Sequence, residues 1–290
     1  MKVAGFTFIR NAIKYDYPVV ESILSILPLC DQFIVAVGNS DDDTLKLIES
    51  IDSPKIKIIQ TIWDDSLREG GAVLAVETDK AFAEISSDFD WAFYIQADEV
   101  LHEKYIDSIK IALEKYKDNN LVDGLLFKYK HFYGSYDYFG GSSQWYRNEI
   151  RIIKNNKSIY SYRDAQGFRK DKNIKLNVKL IDAYIYHYGW VKQPEAMQKK
   201  QETFNKFWHN DQWIEENVAK AEKFDYSGID FLNKYEGDHP KVMTNRINSI
   251  NWKFDYDLSY NNFKFKDKIK NIIETLTGKR PGEYKNYKLV

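Results

Sequence analysis

Residues 91–100 read WAFYIQADEV, an apolar run rich in β-forming residues that ends on two adjacent carboxylates, Asp98 and Glu99. Charged side chains are seldom fully buried unless they are paired or bind a cation, so this run either meets water at its end or holds a cation there. It is the fourth of a series. Residues 2–10 (KVAGFTFIR), 31–40 (DQFIVAVGNS) and 55–63 (KIKIIQTIW) are the other short apolar runs that read as buried strands. Between them, residues 18–27, 44–51 and 70–86 carry helical patterns, the second capped by the Asp41-Asp42-Asp43 cluster. Strand and helix in strict alternation predict an α/β fold with a parallel sheet and right-handed crossovers. Ligands of such sheets sit at the carboxyl ends of the strands. Asn11, Gly38-Asn39-Ser40, Trp63-Asp64-Asp65 and Asp98-Glu99 all fall at those ends.

Beyond residue 100 the pattern predicts a helix over 102–117, strands over 121–134 and 149–155 in a mixed sheet, and a last strand over 180–191 that carries His187. Residues 194–223 are helical in pattern, polar, and bear Phe204, Phe207, Trp208 and Trp213. The expected organisation is a catalytic α/β domain over 1–192 and a helical extension over 193–290, with no internal repeat or low-complexity linker.

The 290 residues carry a net charge of −1, so no global field favours nucleic acid. A single cysteine, Cys30, excludes an internal disulfide framework and a cysteine zinc site. No apolar run reaches the roughly 18 residues of a membrane span, and no signal-peptide pattern opens the chain, so the expected location is cytoplasmic. Aromatic residues make up 16% of the chain; most are expected to pack the core, although aromatic faces also stack on sugar rings.

A hard cation such as Mn2+ or Mg2+ takes oxygen ligands and keeps waters and substrate phosphates in its shell, so one or two protein carboxylates suffice. Asp98 suits that role, with Glu99 acting through water. A neutral imidazole at His187 would complete a Mn2+ shell, against the alternative of a hydrogen-bonded core histidine.

The order FIRNA, VGNSDDDT, FYIQADEVL and IYHYGW resembles family 2-type glycosyltransferases of the GT-A fold over roughly residues 1 to 190. The resemblance implies a GT-A-like, Rossmann-like, mostly parallel mixed sheet flanked by helices. It also implies a metal-dependent inverting transferase of hexosyl type that uses a nucleotide-sugar donor, UDP-linked by default. The acceptor it implies is a glycan or lipid-linked glycan of surface polysaccharide or lipopolysaccharide synthesis. In that family the loop after the first strand holds the nucleotide, here Phe8, Arg10 and Asn11. The second strand ends in D-x-G-S-x-D-x-T, matched by Asn39 to Thr44 with Gly38, Ser40 and Asp42 at the site, while the leading acid is absent at Val37 and Gly38. The D-x-D-type motif appears as Gln96-Ala97-Asp98, with Gln96 in place of the first acid and Asp98 as the metal ligand beside His187. Gln96 retains hydrogen bonding to a ribose hydroxyl but removes a charge, so metal binding without nucleotide is expected to be weak. Arg68 and Gly71, ahead of the helix over 70–86, are expected near the diphosphate, against a plain turn into the helix.

Inverting displacement needs a base for the acceptor hydroxyl. Asp137, Glu149, Asp164 and Asp171 are available between Asp98 and His187, and the resemblance favours Asp164, then Glu149. For Glu149 the competing reading is a strand residue paired with Arg147 or Arg151 across the surface. Trp145 and Tyr146 would stack on the acceptor or simply pack. The tail from 262 holds Lys264, Lys266, Lys268, Lys270, Lys279, Arg280, Lys285 and Lys288 against three acids. With Phe263, Phe265, Ile269 and Ile272 interleaved, it reads either as a solvated face or as a peripheral contact with the inner membrane face. Two other functions compete: a non-catalytic carbohydrate- or nucleotide-binding protein on a decayed transferase fold, and a sugar nucleotidyltransferase. The second is disfavoured because FIRNAIKYDYP lacks a glycine-rich loop.

Overall fold

The computed structural model describes residues 1–218, 221–260 and 265–290. The first half alternates as the sequence predicts: β1 (Val3–Ile9), α1 (Val19–Ile26), β2 (Gln32–Gly38), α2 (Thr44–Glu49), β3 (Ile56–Thr61), α3 (Ala72–Ala83) and β4 (Trp91–Tyr94). These strands run parallel in the order β3-β2-β1-β4, a Rossmann-like half-sheet. Both faces of its central strands are covered. Val3, Ile9, Phe33, Val35, Trp91 and Phe93 pack on one side with Ile23 and Ile26 of α1. Ala4, Phe6, Ile34, Ala36, Ala92 and Tyr94 pack on the other with Val73, Leu74 and Phe82 of α3. This period-two division is why the strands read as near-continuous apolar runs.

The fourth run departs from its reading. The strand stops at Tyr94, and residues 95–98 form a turn closed by the Glu99 amide donating to the Gln96 carbonyl. Glu99 then opens a separate strand, β5 (Glu99–Leu101). Apolar Ile95 and Ala97 mask this break in the sequence, because both are buried although neither is in a strand.

There follow α4 (Ile106–Tyr116), β6 (Gly124–Tyr133), β7 (Tyr138–Gly140), β8 (Asn148–Lys154), β9 (Ile159–Tyr162), β10 (Gly167–Lys170), β11 (Ile174–Lys175) and β12 (Asn177–Trp190). β8 joins the edge of β4 antiparallel and links it to β6, giving the expected mixed sheet flanked by helices. β12 lies parallel to β6 and antiparallel to β5, which sets His187 opposite both His131 and Glu99. β9, β10 and β11 form a small second sheet.

The last hundred residues carry α5 (Pro194–Phe204), α6 (Asp211–Asn217), β13 (Leu232–Lys234), α7 (Thr244–Asn248), α8 (Phe265–Thr277) and β14 (Lys288–Leu289). This segment is not helical alone. β13 pairs with β7, and β14 pairs with β12. Phe263 and Lys264 of the basic tail lie outside the described residues. Among the described residues, no helix is long and apolar enough to cross a membrane.

Candidate active site

A cavity of about 810 Å3 opens over the carboxyl ends of β1 to β4 and is roofed by the C-terminal end of α5. Phe8, Arg10 and Asn11 line it from β1, and Trp63 and Asp65 from the end of β3. Gln96, Ala97 and Asp98 come from the turn after β4, Asp164 from the β9–β10 loop, and His187 from β12. Phe204 and Trp208 close the far side.

The two carboxylates of the opening motif point apart. Glu99 turns into the core, fully buried, where Arg151 Nη2 and Nε lie 2.6 and 2.7 Å from its two oxygens. The Tyr129 hydroxyl and the Gln96 amide donate to it as well, at 2.7 and 3.1 Å. A carboxylate with this many donors is not free to act on a cation through water, which corrects that expectation. Asp98 faces the cavity. Its backbone carbonyl accepts from the Tyr188 amide at 2.8 Å, and its Oδ2 lies 3.7 Å from His187 Nε2 and 3.4 Å from Lys200 Nζ. Burial works to raise its pKa, but His187, Lys200 and Lys192 outweigh burial and hold it at about 2.

The imidazole tautomers follow from a short relay. His131 Nε2 lies 2.8 Å from the Tyr146 carbonyl oxygen, which only accepts, so that nitrogen carries the proton. Burial, reinforced by His187, pushes His131 well below the usual histidine range, so it is neutral and its Nδ1 is bare. The His187 Nδ1–H therefore donates to it across 3.1 Å. Burial lowers the pKa of His187, so near neutral pH its Nε2 keeps its lone pair toward Asp98, and its charge acts on Asp98 only in acid. Gly189 leaves the space beside both atoms open: a Cβ there would sit 2.7 Å from Asp98 Oδ2 and 2.7 Å from His187 Nε2. A carboxylate oxygen and a bare imidazole nitrogen facing one gap are donors that fit a divalent ion. No cluster of three or more such ligands exists among the described residues, so the remaining positions would fall to water and substrate oxygens.

Two buried lysines act on Asp98, and half-buried Asp164 lines the same cavity. Lys200, on α5, donates to the Gly189 carbonyl at 3.0 Å and lies 5.0 Å from the centroid of Tyr17. Burial lowers its pKa and Asp98 works against that. Lys192 donates to the Asp16 carbonyl, and burial brings it down to about 7. Burial raises the pKa of Asp164, whose loop is tied to the sheet by Gln96 Nε2 and Arg151 Nη1 donating to the carbonyls of Ala165 and Gln166.

The other expected residues divide. Arg10 reaches the cavity but is bound to Asp65 at 2.6 Å and to the Asn39 carbonyl at 3.0 Å. Asn11, at φ 56°, accepts from the Asp41 amide. Gly38, Ser40 and Asp42 lie behind the cavity wall: Gly38 backs onto the Trp63 indole, Ser40 accepts from the Asn11 amide, and Asp42 accepts from the Lys14 and Thr44 amides. Arg68 lines the cavity, but its guanidinium is engaged by the Lys206 and His209 carbonyls and by Asp211. The Gly71 amide donates to the Phe207 carbonyl, and its φ of 71° places it against Asp164, where a Cβ would lie 2.6 Å from the Asp164 Cβ. These donors hold the C-terminal segment over the site.

Glu149 does not line the cavity and pairs with neither arginine, which corrects the surface-pair reading. It is buried beside Gly167 with one oxygen unpartnered, and burial pushes it up to about 8. Arg147 binds Glu283 and Glu274 instead. Asp137 and Asp171 are outside the lining, Trp145 is packed against Gly140, and Tyr146 reaches the cavity.

Neither a family model nor a curated protein matches the chain. Among solved structures it is similar to Staphylococcus aureus TarS, at 15% identity and a TM-score of 0.42 over 70% of this chain and 39% of that one. It is similar to TarS 1–349 in complex with UDP, at 15% identity and a TM-score of 0.44 over 77% and 68%. It is also similar to glucosyl-3-phosphoglycerate synthase from Mycobacterium tuberculosis in complex with Mn2+, UDP and phosphoglyceric acid, at 19% identity and a TM-score of 0.29 over 46% and 43%. The chain therefore spans 39% of TarS and 43% of the synthase.

Proposed function

We propose that the protein is a glycosyltransferase that takes a nucleoside diphosphate sugar, UDP-linked by default, and transfers its hexosyl group with inversion to a glycan or lipid-linked acceptor of surface polysaccharide synthesis. The observation that carries this reading is the gap between Asp98 Oδ2 and His187 Nε2, held open by Gly189 at the floor of a strand-end cavity. Asp98 and His187 would hold Mn2+ or Mg2+. The ion, when bound, supplies positive charge for the leaving diphosphate.

The chain's own residues do the rest. Phe8 and Trp63, with ring centroids 5.7 Å apart, form the apolar side of the nucleotide end, and Arg10 lies 5.5 Å from the Trp63 centroid. Gln96, whose Nε2 donates to Tyr94 and Ala165, keeps its side-chain carbonyl oxygen to accept from a ribose hydroxyl. Asp164 takes the proton of the acceptor hydroxyl as its oxygen bonds to the anomeric carbon and the bond to the diphosphate breaks. Burial raises its pKa toward the working pH, as suits a general base. Tyr146 and Trp190 flank the open side, where an acceptor ring would stack.

The C-terminal helix α8 adds a location. Ile269, Ile272, Ile273 and Leu276 recur at helical spacing and are exposed, with Lys268, Lys270 and Lys279 nearby. Apolar residues in one stripe among lysines suit an anionic lipid surface, which supports a peripheral location at the inner membrane face beside a lipid-linked acceptor.

Calorimetric titration with UDP, GDP, CDP and dTDP, each in Mn2+ and in EDTA, tests the reading. Metal-dependent binding of one nucleotide supports it, and no binding of any refutes it in favour of a non-catalytic protein. Asp164→Asn should keep donor binding and lower transfer by roughly 10²–10⁴-fold; retained transfer would move the base elsewhere.

A further inference from the structure

Lys200 has no part in the motifs that define the site, yet its ammonium touches the same oxygen of Asp98 that His187 faces. The side chain comes from α5, which crosses the mouth of the cavity more than a hundred residues along the chain from Asp98. It is buried, it lines the cavity, and its two hydrogen-bond acceptors are Asp98 Oδ2 and the Gly189 carbonyl. Both acceptors flank the gap assigned above to the divalent ion. Tyr17 and Phe204 lie 5.0 and 5.4 Å from the ammonium and shield it from water.

We propose that Lys200 is a tethered counter-cation that occupies the charge position of the divalent ion while the donor site is empty, and moves onto the donor diphosphate when the ion binds. This rests on the reading of Asp98 and His187 as the ion's protein ligands. An ion coordinated to Asp98 Oδ2 sits at roughly 2 Å. An ammonium 3.4 Å from that oxygen would then face a double positive charge at a largely buried pair of side chains, where like charges repel more strongly than in bulk water. A second anion relieves the conflict, and the incoming diphosphate is that anion. The four-carbon stem of lysine allows the change of partner without moving the helix. The arrangement makes ion and donor bind together: the empty site carries its own cation, and the ion gains its full affinity only when a diphosphate accepts Lys200.

The test is Mn2+ binding to the full chain without nucleotide, read from the electron paramagnetic resonance of the free ion, in wild type, Lys200→Met, Lys200→Arg and Asp98→Asn. With the competing charge removed, Lys200→Met should bind Mn2+ about tenfold or more tightly than wild type. Lys200→Arg, which keeps the charge, should stay within about threefold of wild type. A lysine that only braced the site would give weaker binding when replaced, so a gain in affinity is specific to competition. Circular dichroism melting establishes that Lys200→Met is folded, and Lys200→Gln takes its place if it is not. Binding by Lys200→Met that equals or falls below wild type, while Asp98→Asn abolishes it, overturns the role of Lys200 and leaves the metal site standing. Absence of Mn2+ binding in all of these proteins, with or without UDP, GDP, CDP or dTDP, overturns both.

Discussion

Asp98 and Glu99 leave one turn in opposite directions, and their surroundings differ as much as their headings. Glu99 is met by a guanidinium, a phenol and a backbone amide and has no water-facing oxygen. Asp98 is met by an ammonium and a bare imidazole nitrogen at 3.4 and 3.7 Å, longer than a good hydrogen bond, around a gap that a glycine keeps open. The first arrangement is closed and fixes β5 to β8. The second is loose and has room for a ligand. Adjacent identical charges thus do unrelated work: one joins strands that are far apart in sequence, and the other waits at the cavity floor.

The largest effect should come from breaking the closed member. Arg151→Met leaves Glu99 charged, buried and unpaired, and is expected to cost about 3–5 kcal/mol in urea unfolding. Replacing both, as Arg151→Met with Glu99→Leu, should restore much of that stability, because an apolar pair needs no partner. Asp98→Asn, in the same measurement, should cost less, about 2 kcal/mol, the linkage that its depressed pKa implies. Equal losses at the two carboxylates would break the comparison.

Glu149 sharpens it with a third carboxyl, buried like Glu99 but with no cation bonded to it, although Arg151 and Arg169 act on it from a distance. Its pKa is raised from 4.5 to about 8, chiefly by burial. The folded protein therefore holds a proton that the unfolded chain releases above its own, lower pKa. The sign is that stability from this group is complete at low pH and declines as pH rises toward 8. Glu149→Gln keeps the shape without the charge, so it should match wild type near pH 4 and exceed it by about 4 kcal/mol at pH 8. Denaturant midpoints across that range check it; parallel pH profiles for the two proteins would mean Glu149 is paired. Asp98 has the opposite sign. Its pKa is held down at about 2, so its contribution is complete above the unfolded value and disappears as pH falls toward 2.

The open member should show itself in binding. Asp98→Asn is expected to weaken Mn2+-dependent nucleotide binding by about 100-fold, or 2.7 kcal/mol, with the fold intact. Calorimetry of the mutant that matches wild type would leave Asp98 as a carboxylate that simply lines a cavity.

What the sequence discloses follows from the range of the forces involved. β1 to β4 and the intervening helices are legible because burial on both faces writes itself into contiguous runs and helical periods. Asp164 is legible as a loop acid between strands. The end of β4 is not, because Ile95 and Ala97 are buried in a turn and look like strand. Glu99 is not, because its partner Arg151 lies 52 residues away and only the sheet brings them together. His131 is an unremarked strand residue until β6 and β12 come into register, and Lys200 is one of several lysines on a polar helix until that helix crosses the cavity. Residues set by periodicity are local facts, whereas a charge's partner is a fact of topology.

The smallest effect concerns α8, far from both carboxylates. Leu276 and Ile272 are 80% and 58% exposed on its outer stripe, so replacing them removes little that holds the fold together, and Ile272→Asp with Leu276→Asp should change stability by no more than about 0.5 kcal/mol each. If the stripe meets anionic lipid, the same double substitution should reduce co-sedimentation with phosphatidylglycerol vesicles several-fold and leave Mn2+-dependent nucleotide binding untouched. Lysine contacts fade with salt while apolar insertion does not, so wild-type binding that survives high salt and is lost in the double mutant would assign the attachment to the stripe. Binding that vanishes with salt and ignores the mutations would assign it to the lysines alone. No sedimentation of either protein at low salt would make the stripe an ordinary exposed face, and the acceptor would then have to reach the cavity from solution.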